Sequence, residues 1–163
     1  MAERERRPIL SGLKINAVDP ASEDAQWCIN QYFFELNRRF KTGFNPANSI
    51  PADTTELTPP AGILLIAYLK EDRVGCGALK YHEDKVGELK RMWVAPQARG
   101  LGIGRSLLCE LESTARQAGM MILHLETNES LVEAISLYRK SGYEEVKAFN
   151  DDPYAHHWFE KRL

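Results

Sequence analysis

Residues 94–108 read Val-Ala-Pro-Gln-Ala-Arg-Gly-Leu-Gly-Ile-Gly-Arg-Ser-Leu-Leu, with glycines at 100, 102 and 104 between a proline and an apolar run. Glycine is a poor helix former, so three of them at the head of a helical stripe imply a close approach to the backbone. The first N–H groups of a helix have no intrahelical partner and carry partial positive charge. A strand, a glycine turn and a helix in that order therefore make a cradle for a phosphate-bearing group. Two common cradles are excluded. The P-loop needs G-x-x-x-x-G-K-[ST], whereas Gly104 is followed here by Arg105 and Ser106. The dinucleotide fingerprint needs G-x-G-x-x-G, and the spacing here is G-x-G-x-G. The stretch satisfies [QR]-x-x-G-x-[GA], through Arg99, Gly102 and Gly104.

The elements that must position this turn follow from hydrophobic periodicity. Leu13 to Val18 alternates as a strand. A helix follows from Glu23 to Phe40, with Asp19 and Pro20 as its start and Ser22 as a competing cap. Residues 41–60 are rich in Pro, Thr and Asn and lack an apolar period; they read as a lid or a substrate-side wall. Ile63–Leu69, Val74–Tyr81 and Glu88–Val94 form an antiparallel meander closed by Pro96. The stripe Ile103, Leu107, Leu108, Leu111, Ala115 and Ala118 marks a helix ending at Gly119. A strand from Met121 to Glu126 comes next. Leu131, Ala134, Ile135 and Tyr138 mark another helix, stopped at Ser141-Gly142. Strands at 143–149 and 156–161 finish the chain. The expected fold is a single α/β domain on one mixed sheet, spanning residues 11–163 after a flexible segment, 1–10.

With 163 residues, 44% of them hydrophobic and 27% charged, the chain has room for one ordinary core. A formal net charge of -2 with no long block of one sign gives no support for nucleic acid or anionic membrane as partner. No apolar run has the length of a bilayer span, and the charged start has no signal-peptide core, so the expected location is cytoplasmic. Cys28, Cys76 and Cys109 are an odd, widely spaced set that fits neither a disulfide framework nor zinc. His156 and His157 are neighbours on one strand, face opposite ways, and so do not make a metal pair; no metal is expected.

On the glycine motif and its surroundings, the sequence resembles the GNAT superfamily of acetyl-CoA-dependent N-acyltransferases. "LKRMWVAPQARGLGIGRSLL" looks like that family's fourth strand and following helix. "HLETNESLVEAISLYRKSGYEEV" looks like its fifth strand, next helix and L-Y-x-x-x-G-[FY] element. The likeness covers residues 61 to about 149. It implies a mostly antiparallel sheet with helices on both faces and a parallel pair splayed where acetyl-CoA binds. It also implies backbone contacts from Met92, Trp93 and Val94 to the pantetheine arm. Gly100, Leu101, Gly102, Ile103, Gly104 and Arg105 would hold the pyrophosphate, and Arg99 would reach a phosphate or cap the loop. Many relatives have an Asn where this chain has Leu131, and Asn128 is out of register for that contact.

Amide formation needs a neutral amine, and an alkyl ammonium titrates near 10, so a base must take its proton. The resemblance offers Glu88, expected on the strand face of Met92 and Val94, and Glu126 as its competitor. Either also reads as a structural carboxylate, Glu88 beside Lys90 and Arg91, Glu126 bonded to the following turn. Tyr138 matches the family tyrosine that faces the coenzyme sulfur as acid, and its place on an apolar stripe equally suits a core aromatic. Cys76 and Cys109 lack a paired His at motif spacing and are not read as acyl carriers. Asp151, Asp152 and Tyr154 share a turn that could meet a cationic substrate. The expected reaction is direct transfer from acetyl-CoA to a small-molecule or peptide amine, and a homodimer is a common outcome in the family. The contrasting reading is a non-catalytic acyl-CoA sensor.

Overall fold

A computed structural model describes residues 10–49 and 52–163. Apart from Leu10, the expected N-terminal segment lies outside the described residues. The order is β1 (Leu13–Val18), α1 (Glu23–Arg39), β2 (Gly62–Leu69), β3 (Asp72–Tyr81), β4 (Val86–Val94), α2 (Ile103–Gln117), β5 (Ile122–Thr127), α3 (Val132–Lys140), β6 (Glu144–Val146) and β7 (His157–Arg162). This is the succession that the periodicity predicts. The strands form one sheet in the order β1-β2-β3-β4-β5-β7-β6. Only β4 and β5 run parallel.

Alternation along β3 puts a helix on each face. Cys76 and Cys28 of α1 are hydrogen-bonded neighbours on one face. On the other face, a Cβ at Gly77 would come 2.6 Å from Leu111 Cδ1 of α2, so the missing side chain is what lets helix and sheet close up. Leu64, Ile66, Leu79, Leu107, Leu111, Leu123 and Phe159 are fully buried between these layers.

Three expectations need correction. α1 starts at Ser22, whose Oγ accepts from Ala25 N at 3.2 Å, because Asp19 Oδ1 is already committed to Ala21 N at 2.8 Å in a tight turn. The strand expected at 143–149 shortens to Glu144–Val146, since Tyr143 turns inward against Tyr138 and the chain beyond Val146 leaves the sheet, with Phe149 stacked on His124. The third concerns β4. Lys90 pairs with Ala78 and Trp93 with Cys76, so Gly77 faces both Arg91 and Met92, and Arg91 takes φ +59°. That β-bulge resets the alternation. Glu88 pairs with Lys80 and Val94 with Gly75, an odd separation along β3, so Glu88 lies on the opposite face from Met92 and Val94.

β4 and β5 share only the pairs Val86–Ile122, Gly87–Leu123 and Glu88–His124. Beyond Glu88 the two strands part, and the β4 edge from Leu89 to Val94 has no β5 partner. This opening places the site.

Candidate active site

The glycine turn sits where β4 enters α2. Gly100 and Gly102 have φ of +82° and +83°, a region costly for other residues, and a Cβ at either would meet nothing within 4 Å. Gly102 is the N-cap and offers no side-chain cap. The first donation back across the cap is Ser106 N to Gly102 O at 3.0 Å, so the amides of Ile103, Gly104 and Arg105 have no partner among the described residues. An open approach, free N–H groups and the positive helix end together fit an anionic diphosphate. Arg99 faces the other way: its Nε donates to Val94 O at 3.2 Å and its Nη2 to the buried carboxylate of Glu35 on α1. It ties the turn to the first helix.

Beside this turn, Met92 and Val94 face α2, while Trp93 lies on the α1 face, edge-on to Trp27 at 5.8 Å. A small cavity occupies the strand gap, lined among others by Met92, Leu125, Glu126, Ala134 and Tyr138. Tyr138 is only 5% exposed. Burial pushes its phenol well above the ordinary range, with Tyr32 and Glu126 adding to the effect, so it keeps its proton. Leu131 is the N-cap of α3 without a side-chain hydrogen bond. Asn128 is committed elsewhere, Nδ2 donating to Tyr154 O at 2.7 Å and Oδ1 accepting from Ser130 N at 2.9 Å.

On the α1 face a larger cavity, roughly 550 Å³ with its open mouth, continues from the gap and shares Tyr32, Lys90, Arg91 and Glu126 with the smaller one. Phe40, Phe44, Tyr154, Leu36 and Leu131 form its apolar wall. Its rim is drawn together by hydrogen bonds between the 41–60 loop and the C-terminal turn: Asn45 N donates to Tyr154 Oη at 2.9 Å, Tyr154 Oη to Asn45 O at 3.5 Å, and Ser49 Oγ to Asp152 Oδ2 at 3.1 Å. The loop is thus a wall of the site.

The carboxylates differ in their surroundings. Glu88 Oε1 lies 2.6 Å from His82 Nε2, its Oε2 lies 3.3 Å from Lys90 Nζ, and it lines neither cavity. Burial pushes its pKa up, but Lys90 and His82 more than offset this and hold it below the ordinary value. Glu126 lines both cavities, is nine-tenths buried, and has Lys90 Nζ at 3.6 Å from Oε1. Its Oε2 is buried without a hydrogen-bond partner among the described residues. Burial raises its pKa and the charges of Glu88 and Asp152 add to that, with Lys90 and a hydrogen bond from the Asn150 side chain opposing. Two carboxylates thus share one lysine, and each keeps one oxygen without a hydrogen bond among the described residues, but only Glu126 lines a cavity.

Lys90, Arg91, Tyr32, Phe40 and Phe44 line the site without having been candidates for it in the sequence. Tyr32 is one helical turn from Ile29 and from Leu36, which gives it the look of a core residue; burial pushes its phenol up to about 12. Of the turn candidates, Asp152 and Tyr154 line the larger cavity and Asp151 does not, and the cysteines and the paired histidines fall outside both cavities. Cys76 is fully buried, its thiol raised well above the ordinary value by its bond with Cys28 and by desolvation, and Sγ donates to Arg91 O at 3.1 Å. Cys109 is exposed on α2. His156 Nδ1 accepts from Glu129 N, and His157 Nδ1 contacts Glu145, so the two rings serve separate partners. Among the described residues, no group of three or more His, Cys, Asp and Glu is placed to hold a metal ion, and no helix is long and apolar enough to cross a membrane.

A mixed-sheet domain whose parting strands open between an anion cradle and a walled cavity is one class of acyl-transfer fold, and similarity narrows it further. The model of the GNAT acetyltransferase domain matches residues 60–145, more than half of the chain. An IAA acetyltransferase of Azospirillum brasilense is 38% identical over 131 residues, 80% of this chain and 84% of its own length. A Klebsiella pneumoniae structure named as an acyl-CoA N-acyltransferase is 29% identical with a TM-score of 0.75, over 93% of this chain and 97% of that one. A Bacillus anthracis protein named as a streptothricin acetyltransferase, solved in complex with acetyl coenzyme A, shares the fold at a TM-score of 0.60 and 23% identity over 71% and 70% of the two chains. The chain belongs to the GNAT acetyltransferase family and is an acyltransferase.

Proposed function

We propose that the chain transfers the acetyl group of acetyl-CoA to a primary amine by direct attack in a ternary complex. The observation that supports this best is that Glu126 and Tyr138, a carboxylate with a spare oxygen and a protonated phenol, line one cavity at the strand gap beside the glycine turn. Bound acetyl-CoA would supply a thioester, so that one N–C bond forms as one C–S bond breaks. Ile103, Gly104 and Arg105 would hold its diphosphate through backbone N–H groups, with Gly100, Leu101 and Gly102 keeping the approach clear. The unpaired β4 edge at Met92, Trp93 and Val94 would receive the pantetheine arm as an added strand.

We assign the base to Glu126 rather than Glu88. Glu126 accepts the amine proton on Oε2, and its raised pKa narrows the gap to the amine it must deprotonate. Tyr138 presents its hydroxyl proton to the departing sulfur. Glu88 draws Lys90 away from Glu126 and acts as a positioning residue.

Thiol release from acetyl-CoA across an amine panel tests the reading. Tyr138→Phe is expected to lower kcat by about 10-fold or more while calorimetry finds acetyl-CoA affinity within a factor of about three. A protein that binds acetyl-CoA but releases no thiol with any amine is a sensor instead. The pH profile tests the carboxylate roles. Activity falls as pH drops through the pKa of Glu126, because the protonated acid accepts nothing. Glu88→Gln removes a neighbouring negative charge and leaves Lys90 to Glu126 alone, so the acid limb of kcat/KM should move to lower pH. A limb that stays in place refutes the positioning role.

A further inference from the structure

Whatever the acceptor is, it must satisfy what the larger cavity leaves unpaired. Its charged lining is Lys90, Arg91, Glu126 and Asp152, two cations and two anions that cancel formally. Most of their capacity is taken. Lys90 sits between Glu88 and Glu126. Asp152 accepts from Ser49 Oγ on one oxygen and from Tyr154 N at 2.9 Å on the other. Two buried atoms of this lining have no partner among the described residues, and they are of opposite kind: Glu126 Oε2, an acceptor, and Arg91 Nε, a donor. A buried charged group left short of hydrogen bonds is costly, and both side chains line the same space.

Arg91 is also fixed in place. Its backbone is the left-handed residue of the β4 bulge, its Nη2 donates to Ala52 O at 3.2 Å, and its guanidinium lies over the Phe33 ring at 4.7 Å. A guanidinium so held is preorganised for a planar anion such as a carboxylate. Phe33 in turn contacts Phe44 at 5.5 Å, and from there the wall is aromatic: Phe44 and Tyr154 are 4.8 Å apart between ring centres, with Phe40 at 5.8 and 5.7 Å from them. Rings arranged at tilted and edge-on angles offer both faces and edges to another ring. The contacts across the rim join the loop to the turn, which suits a compact ligand better than a folded protein surface.

A ligand complementary to one free acceptor, one free donor, a neutral charge balance and an aromatic wall is a zwitterion with a ring. We propose that the acceptor is a free α-amino acid bearing an aromatic side chain, its amine on Glu126 and its carboxylate on Arg91. This rests on the acetyltransferase reading. It adds a specificity-determining role for Arg91, which no motif marks.

The test compares initial rates of thiol release with acetyl-CoA and L-phenylalanine, phenethylamine or glycine. Phenethylamine lacks only the carboxylate, and glycine keeps both charged groups but lacks the whole benzyl side chain. The expected result is a kcat/KM for L-phenylalanine at least about 10-fold above either, the value of one charge-assisted hydrogen bond or one buried ring. Arg91→Gln should then shrink the preference for L-phenylalanine over phenethylamine by a similar factor. Because this substitution falls at the bulge and could unsettle the fold, the wild-type comparison alone decides the matter. Phenethylamine or glycine equal to L-phenylalanine overturns the proposal, as does no turnover of L-phenylalanine. The acetyltransferase reading fails separately, if calorimetry finds no acetyl-CoA binding or the whole amine panel gives no thiol.

Discussion

Glu126→Gln is expected to lower kcat for amine-dependent thiol release by about 10²–10⁴-fold, the range a positioned general base supplies. The substitution keeps the size and shape of the side chain and removes only its ability to take a proton. Acetyl-CoA affinity should stay within a factor of about three, because the proposed diphosphate and pantetheine contacts belong to the turn after β4 and to the β4 edge. Stability offers an independent check. Burial raises the Glu126 pKa in the folded chain above its unfolded value. The folded state therefore binds this proton more tightly than the unfolded one, and the ionised form weakens folding once pH rises above the unfolded pKa. A neutral Gln lacks that penalty, while Lys90 retains Glu88 at 3.3 Å. Thermal unfolding at neutral pH should thus show a Tm equal to or above wild type in the variant that has lost activity. If Glu126→Gln keeps its rate within about threefold, the base is another group, and Glu88 or a water relay returns as the candidate.

The elements were legible because each carries its own period: alternation in β1, a continuous apolar run in β2, a 3.6-residue stripe in α2. The anion cradle was legible for the same local reason, since glycine at 100 and 102 is the residue type that a positive φ demands. Arg91 shows where local reading stops. It too adopts a positive φ, yet nothing in its chemistry announces this, so the face assignment of Glu88 by simple alternation came out reversed. The larger cavity is assembled from α1, β4, β5, the 41–60 loop and the turn before β7. Contacts such as Asn45 with Tyr154, 109 residues apart, have no signature in either segment. Lys90 has the same invisibility: its alternation on β4 says which face it takes, but not that Glu126, from the neighbouring strand, completes its pairing.

The cradle itself admits a sharper test, because space and charge separate at Gly102. A Cβ added there meets nothing within 4 Å, so the main cost to the fold is the left-handed backbone, on the order of 1 kcal/mol for the residues that tolerate it best, Asn and Asp. Gly102→Asn and Gly102→Asp should therefore unfold at nearly the same temperature, both slightly below wild type. Their acetyl-CoA affinities should diverge. Asn adds a small polar group, while Asp places a negative charge where a diphosphate is to bind. At about 4 Å two like charges repel by about 4 kcal/mol at an effective dielectric of about 20, and less at this exposed position. The expected result is a Kd about 10²-fold higher for Gly102→Asp than for Gly102→Asn, with the difference narrowing as salt is raised, since added ions screen exposed charge. Equal affinities in the two variants would place the diphosphate elsewhere and remove the anchor from which the direction of the pantetheine arm, and with it the position of the thioester beside Glu126, is argued.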